Sequence, residues 1–365
     1  MYSKKIILLS ITIILIAFPI TTFASSNFQM GGTAKIGLNS LFFDDINQVK
    51  IYDSINLELS SDNIAFEVNG RHNFTDNELD FTLKKAYYRN DIMGSSITIG
   101  KQPISWSFGS LVNTVDYSLG AEALDEETSA KYINGIKIEY PFNWYSSLSL
   151  VREFNSEYDY KYGFRGRTLI NDFDVSLNWV DQKTSSSNLS RWGVTLKGDI
   201  SDAGVYGSYT HIDYKTKGLQ INTKGYMVGV DYSYFLNQGY GNRLYLQGEY
   251  HLLEKNEGLN VLLNSLAGAG VVIPPSRISN NEKYFKLFLS NINYNINDFS
   301  SIGFFTITSL EDGSTALIPN YRNQLTSNTT LKVNLSYLSG SNDEILSGGS
   351  NFPGVVCNVE LSYAF

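Results

Sequence analysis

The sequence predicts an all-β chain closed into one antiparallel transmembrane β-barrel of about eighteen strands, with sixteen as the alternative count. Three observations carry this. The segment Val355 to Phe365 alternates with a period of two: Val355, Cys357, Val359, Leu361, Tyr363 and Phe365 share one face, and Val356, Asn358, Glu360, Ser362 and Ala364 the other. No segment after the N-terminal region has the length of an apolar transmembrane helix, so a membrane location requires a closed barrel. The same alternation recurs along the chain, between connectors that are in turn short and long.

The N-terminus reads as a leader. Lys4 and Lys5 precede a charge-free apolar run from Ile6 to Ile20, and Thr22-Phe23-Ala24 offers small residues at the two positions a signal peptidase reads. Residues 1–24 are therefore expected to be a signal peptide and 25–365 the barrel. The alternative is an anchor helix, but the run is about 15 residues, short of the roughly 20 needed to span. Aromatic residues are 14% of the chain, with 25 Tyr and 21 Phe, which suits strands and interfacial girdles. One cysteine excludes an internal disulfide. A formal charge of −8, falling to −10 without Lys4 and Lys5, argues against general nucleic-acid binding.

The strands follow in order. Period-2 segments are expected at about 29–39, 50–60, 63–72, 79–89, 95–103, 131–140, 144–154, 159–170, 172–181, 189–199, 202–212, 223–236, 242–253, 282–295, 299–310, 314–325, 328–338 and 354–365. Connectors on one side are short and rich in turn formers: Ser61-Asp62, Asn90 to Gly94, Pro141 to Asn143, Asn171, Ile200-Ser201, Asn237 to Gly241, Ile296 to Asp298 and Thr326-Ser327. Those on the other side are mostly longer: 40–49, 104–130, 182–188, 213–222, 254–281 and 339–353. Short turns in the periplasm and longer loops outside is the membrane-barrel arrangement. The count of eighteen requires 314–325 to be a strand despite Pro319, which cannot donate to a ladder. The faces are consistent: Trp192, Val194 and Leu196 oppose Arg191, Thr195 and Lys197, and Leu244, Leu246, Tyr250 and Leu252 oppose Arg243, Tyr245, Gln247, Glu249 and His251. A soluble sandwich also alternates, but the number of long strands and the aromatics at their ends favour the membrane barrel.

A barrel of this size is too wide for its own side chains to fill, so an aqueous channel is expected unless something plugs it. The inward positions include the cations Lys35, Arg71, Lys131, Lys137, Lys161, Arg165, Arg167, Arg191, Lys197, Arg243, Arg322 and Lys332. The inward acids include Glu58, Glu67, Glu139, Asp174, Asp199, Asp231, Glu249 and Glu360. Lys131, Lys137, Lys161, Arg165, Arg167, Arg191 and Lys197 fall in segments 131–140, 159–170 and 189–199, where they would form a cationic wall guiding anionic solutes. The alternative is that these charges only neutralise neighbouring carboxylates. Acidic groups concentrate in the loops at Asp44, Asp45, Glu122, Asp125, Glu126, Glu127, Asp343 and Glu344.

The third outer connector, counting the short ones on that side, about Ile104 to Ala130, is expected to fold inward and narrow the channel, because its apolar residues need cover. Trp106, Phe108 and Tyr117 could then stack on sugar rings, with Asp116, Glu122, Asp125, Glu126 and Glu127 supplying charge at the constriction. The stretch Gly100-Lys101-Gln102, Ile104, Trp106, Gly109, Asn113 and Asp116 is similar to the Gly-Arg-Gln-x-Ile-x-Trp-Gly…Asn-Pro-x-Asp stretch of porin-like outer-membrane proteins, which include barrels related to the alginate-export porins. Lys101 stands where those have Arg, Ser107 where they have Gly, and Thr114 where they have Pro. The turn Ser309 to Ser314 also resembles one found there. The terminal Tyr363 and Phe365 resemble the closing-strand signal of bacterial outer-membrane barrels, implying recognition by the barrel-assembly machinery. The resemblance implies an outer-membrane channel in contact with lipid, passing small hydrophilic solutes, anions or carbohydrates among them.

The seventh outer connector, about Glu254 to Glu282, carries GLNVLLNSLAGAGVVIPP, expected to pack on itself, the alternatives being a short helix seated in the barrel mouth or a contact with a partner or another copy. No His or Cys pair among His72, His211, His251 and Cys357 has metal-ligand spacing, and no phosphate-cradling loop occurs, so no metal or cofactor is expected. His251 beside Glu249 on one inward face is the nearest approach to a catalytic pair. Without a nucleophile–base–orienter set, a hydrolase is a weaker reading than a channel or a closed binding barrel.

Overall fold

The computed structural model describes residues 28–42, 47–106, 108–117, 120–121, 132–237, 242–254, 283–340 and 355–365. The leader 1–24 and the connector 255–282 lie outside them. The described residues form twenty strands: β1 (Gln29–Phe42), β2 (Asn47–Ser60), β3 (Ile64–Asn73), β4 (Glu78–Ile92), β5 (Ser95–Pro103), β6 (Val112–Asn113), β7 (Gly120–Ala121), β8 (Tyr132–Pro141), β9 (Ser146–Glu153), β10 (Tyr160–Ile170), β11 (Phe173–Lys183), β12 (Ser187–Ile200), β13 (Ala203–Thr216), β14 (Leu219–Asn237), β15 (Asn242–Glu254), β16 (Tyr284–Asn295), β17 (Ser300–Ser309), β18 (Thr315–Gln324), β19 (Thr329–Ser339) and β20 (Val355–Ala364). All but the two-residue β6 and β7 form one antiparallel sheet, each strand beside its neighbour in sequence, and β1 pairs with β20 to close it. The eighteen-strand count stands and the sixteen-strand alternative falls. The fold is a closed transmembrane β-barrel.

The strand that decided the count is β18. It pairs with β17 through Pro319 opposite Phe304, while its ladder to β19 lapses between Leu317 and Asn320. The missing proline donor thus costs a local gap in one ladder rather than the strand. Two of the short turns adopt left-handed backbone conformations at both central residues: Met93 and Gly94 (φ 51° and 78°), and Asn171 and Asp172 (φ 46° and 68°). Such turns match the twist of the strands they join.

The outward face is apolar. Ile36, Ile99, Leu177, Trp192, Leu196, Val228, Leu246, Phe304, Leu335 and Leu361 are all exposed there. Tyr140, Phe142, Trp144, Tyr145 and Phe299 stand exposed around the short-turn rim, as an interfacial girdle requires.

The closing seam uses the terminal residue. Phe365 N donates to Gly32 O at 3.0 Å and Gly32 N to Phe365 O at 2.9 Å. The Phe365 ring covers Gly32, where an added Cβ would lie 2.7 Å from Cζ and 2.4 Å from Asn56 O.

One part of the lumen departs from a polar pore wall. Inward residues Ile212, Leu253, Phe285, Leu287, Leu289, Phe305, Ile307 and Ala316 form a continuous apolar cluster across β13 to β18. It occupies the half of the barrel nearer the long loops. In the other half the same strands turn Arg243, Tyr245, Asn291, Asn293 and Asn295 into an open cavity.

Candidate functional site

The site is built where the connector after β5 enters the barrel. Its own side chains brace it first. The Asp116 carboxylate accepts from Trp106 N at 2.8 Å, Tyr117 N at 2.6 Å and Ser105 Oγ at 3.3 Å. Asn113 Nδ2 donates to Trp106 O at 3.2 Å, and its Oδ1 accepts from Val115 N at 3.0 Å. Val112–Asn113 then ladder with Gly120–Ala121. Trp106, Asn113 and Asp116 all belong to the stretch singled out from the sequence, so that stretch encodes a loop that holds its own shape.

The loop is seated on the wall. Ile104, Trp106 and Tyr117 pack on Ile133, Val151 and Val180; Phe108 and Val115 pack on Tyr206 and Met227; Leu111 and Val112 join the large apolar cluster. Glycines cut the seat. A Cβ on Gly163 would lie 2.6 Å from the Tyr117 ring, and one on Gly193 would lie 2.2 Å from Val115 Cγ1. Polar bonds pin each part. Gln247 Nε2 donates to Gly109 O at 2.8 Å, Thr114 and Thr210 hydroxyls meet at 2.7 Å, and Arg191 donates to the carbonyls of Asp116 and Tyr117.

The tip is fixed by Glu249. Its side chain is fully buried; Oε1 accepts from Leu111 N and from Tyr206 OH at 2.9 Å, and Oε2 lies 2.9 Å from His251 Nε2. Glu249 and His251 do pair on the inward face, but that pair holds a loop. At the other end, Tyr117 OH donates to Glu153 Oε2 at 3.3 Å. Burial, and then the charge of Glu153, raises the Tyr117 phenol far above the ordinary tyrosine range, so it stays a donor.

The expected stacking platform is not formed. Trp106, Phe108 and Tyr117 are 4%, 8% and 1% exposed, with their rings spent on wall packing. They hold the loop down because the apolar inner wall offers them cover that the sequence pattern did not suggest. Asp116 is likewise consumed by backbone donors. Glu122, Asp125, Glu126, Glu127 and Lys131 lie outside the described residues.

The six described wall cations face inward but do not form a free ladder. Lys137 pairs with Glu139 at 3.0 Å, Lys161 with Glu153 at 3.1 Å, Arg167 with Asp174 at 2.6 Å and Lys197 with Asp231 at 4.0 Å. Arg191 is spent on loop carbonyls. Arg165 differs in holding no loop carbonyl: among the described residues it makes no ion pair, and its Nε, like that of Arg191, is buried without a hydrogen-bond partner, as is Ser149 Oγ. Both line a polar cavity of about 120 Å³ beside the loop, with Ser105, Lys137 and its partner Glu139, Ser147 and Arg167. On the opposite wall Lys35 pairs with Glu360 at 3.5 Å and Lys85 with Glu67 at 2.6 Å.

No family model and no curated protein sequence matches the chain. Solved structures do. The chain is similar to OccAB1 of Acinetobacter baumannii, with a TM-score of 0.63, 9% identity, and 93% of this chain and 96% of that one covered. It is similar to OccK5 (OpdH) of Pseudomonas aeruginosa, with a TM-score of 0.59 and 8% identity over 93% and 98% of the two chains. OccK2 (OpdF) of the same organism, solved in complex with glucuronate, gives 0.58 and 10% over 93% and 98%. These likenesses establish the outer-membrane β-barrel fold.

Proposed function

We propose that this barrel is an outer-membrane channel through which small hydrophilic solutes diffuse, and that it favours carboxylates and other small anions. The observation that carries the reading is Arg165. A guanidinium in the lumen without a carboxylate partner, beside an unpartnered serine hydroxyl, is complementary to an incoming oxyanion. The loop from Ile104 to Tyr117 supports it by occupying part of the cross-section, which leaves the passage beside Arg165 narrow. The glucuronate complex of OccK2 is consistent with an anionic solute. Because four neighbouring cations are already neutralised, the preference is modest. Screening also limits it, the Debye length being about 8 Å at physiological salt.

Planar-bilayer recording of the purified barrel tests this. Stable open-channel current is expected, with a reversal potential in a low-salt gradient that shows mild anion preference. Arg165→Gln should abolish that preference. A folded but silent barrel would favour a closed binding protein, and clear cation preference would mean that the loop acids control permeation.

A further inference from the structure

The outward face of the barrel carries an ionisable pair. Strand register aligns Leu361, Ile36, Asp53, His72 and Leu79 in one row across β20, β1, β2, β3 and β4. Leu361, Ile36 and Leu79 in that row are exposed on the lipid side, whereas Lys35 and Glu360, of opposite parity, bridge inside the lumen. Asp53 and His72 therefore face outward. Asp53 is the seventh residue above the end of β2 at Ser60. At about 3.3 Å per residue and about 40° of tilt that is roughly 18 Å up an apolar band about 25 Å tall. An ionisable group at such a depth reads as a functional site.

The pair does not satisfy itself. His72 Nδ1 lies 3.6 Å from Asp53 Oδ1, longer than a hydrogen bond, and that oxygen is buried without a hydrogen-bond partner. The His72 ring is fixed edge-on against Phe74, 4.6 Å between centroids. The next row down holds two small residues, Ala34 and Gly70, between Tyr363, Ile55 and Phe81. The result is a groove of about 390 Å³, walled by Ile36, Ile55, Leu79, Phe81, Leu361 and Tyr363, with Asp53 in its lining.

We propose that this groove binds one membrane lipid, with an acyl chain along the apolar floor and an ammonium head group donating to Asp53. Shape decides against a second copy of the barrel. Two convex walls cannot fill a narrow groove over the area above about 1,000 Å² that stable protein association requires, whereas an acyl chain can. Charge decides the head group: Oδ1 of Asp53 is buried toward His72, but the side chain keeps 23% of its surface exposed in the groove lining, and a carboxylate presented there accepts from a lipid amine and not from a quaternary one.

The test is native mass spectrometry of the folded barrel exchanged into phosphatidylethanolamine or phosphatidylcholine. One phosphatidylethanolamine should be retained about tenfold better than phosphatidylcholine, the effect of one charge-assisted hydrogen bond at the low end of its range. Asp53→Asn should remove the discrimination, and Gly70→Leu, which fills the groove, should remove retention of both lipids. Heat-modifiable gel mobility confirms that each variant is folded, and Ala34→Phe provides a second groove-filling variant should Gly70→Leu fail to fold. Equal retention of the two lipids by the unmodified barrel would overturn the proposal. So would discrimination that survives Asp53→Asn, or an oligomer of barrels that dissociates in that variant.

Discussion

Replacing Glu249 by alanine should release the tip of the lumen loop without unfolding the barrel. The carboxylate accepts from Leu111 N, Tyr206 OH and Gln247 Nε2, and faces His251 Nε2. Of these four contacts, only that to Leu111 N ties the loop directly to Glu249. A hydrogen bond to a charged group is worth about 1.5–3 kcal/mol, so its loss should shift the seated-to-released ratio of the tip by about 10- to 150-fold. The seat would still dominate. Burial of Phe108, Leu111 and Val112 contributes about 1.5–3 kcal/mol for each fully buried side chain, and Gln247 still holds Gly109 O. The assay is single-channel recording. Glu249→Ala should show brief excursions to higher conductance that occupy about 10- to 150-fold more of the recording, over an unchanged main level. Glu249→Gln keeps an acceptor for Leu111 N and should stay quiet. If Glu249→Ala is as quiet as the unmodified channel while deletion of 106–116 raises conductance, Glu249 is no latch.

Gly163→Ala places a methyl group where Tyr117 and Trp106 sit; it should lift that end of the loop and raise unit conductance, and an unchanged value would mean that the rings reseat. Gly32→Leu meets both the Phe365 ring and the Asn56 carbonyl. The folded, heat-modifiable fraction should fall sharply, and normal yields would contradict the seam geometry. Deletion of Phe365 should also lower assembly, by removing both seam bonds and the proposed assembly signal; the two causes separate by comparing refolding in detergent with insertion in cells. Arg165→Gln should cost more anion selectivity than Lys137→Gln, because Lys137 is paired with Glu139; equal effects in reversal potential would show that pairing does not silence a wall charge.

Strand positions were legible because one face meets lipid along nearly the whole chain, so the period of two is rarely broken. The seating of Trp106 and Tyr117 inside was legible for a related reason: apolar loop residues need cover. What covers them was harder to read. β16, Tyr-Phe-Lys-Leu-Phe-Leu, carries apolar residues at both parities, and a strand buried on both faces loses the alternation that marks its orientation. That double parity was the available sign of the inner apolar wall. The neutralised wall was illegible because pairing depends on register. Arg167 sits opposite Ser176, and Asp174, its partner, is two residues along. The outward pair, by contrast, follows from parity alone: with Arg71 inward, His72 must face out.

The glycine notches at Gly163 and Gly193 have a consequence for how such channels diversify. The wall is carved to the outline of one particular loop, so the lock and its key are encoded more than forty residues apart. A loop transplanted from another barrel would meet notches that it does not fill and ridges that it cannot pass. Changes of solute preference in this lineage are therefore expected to arrive either as substitutions on the free rim of the cavity, around Arg165, or as paired changes in loop and wall together.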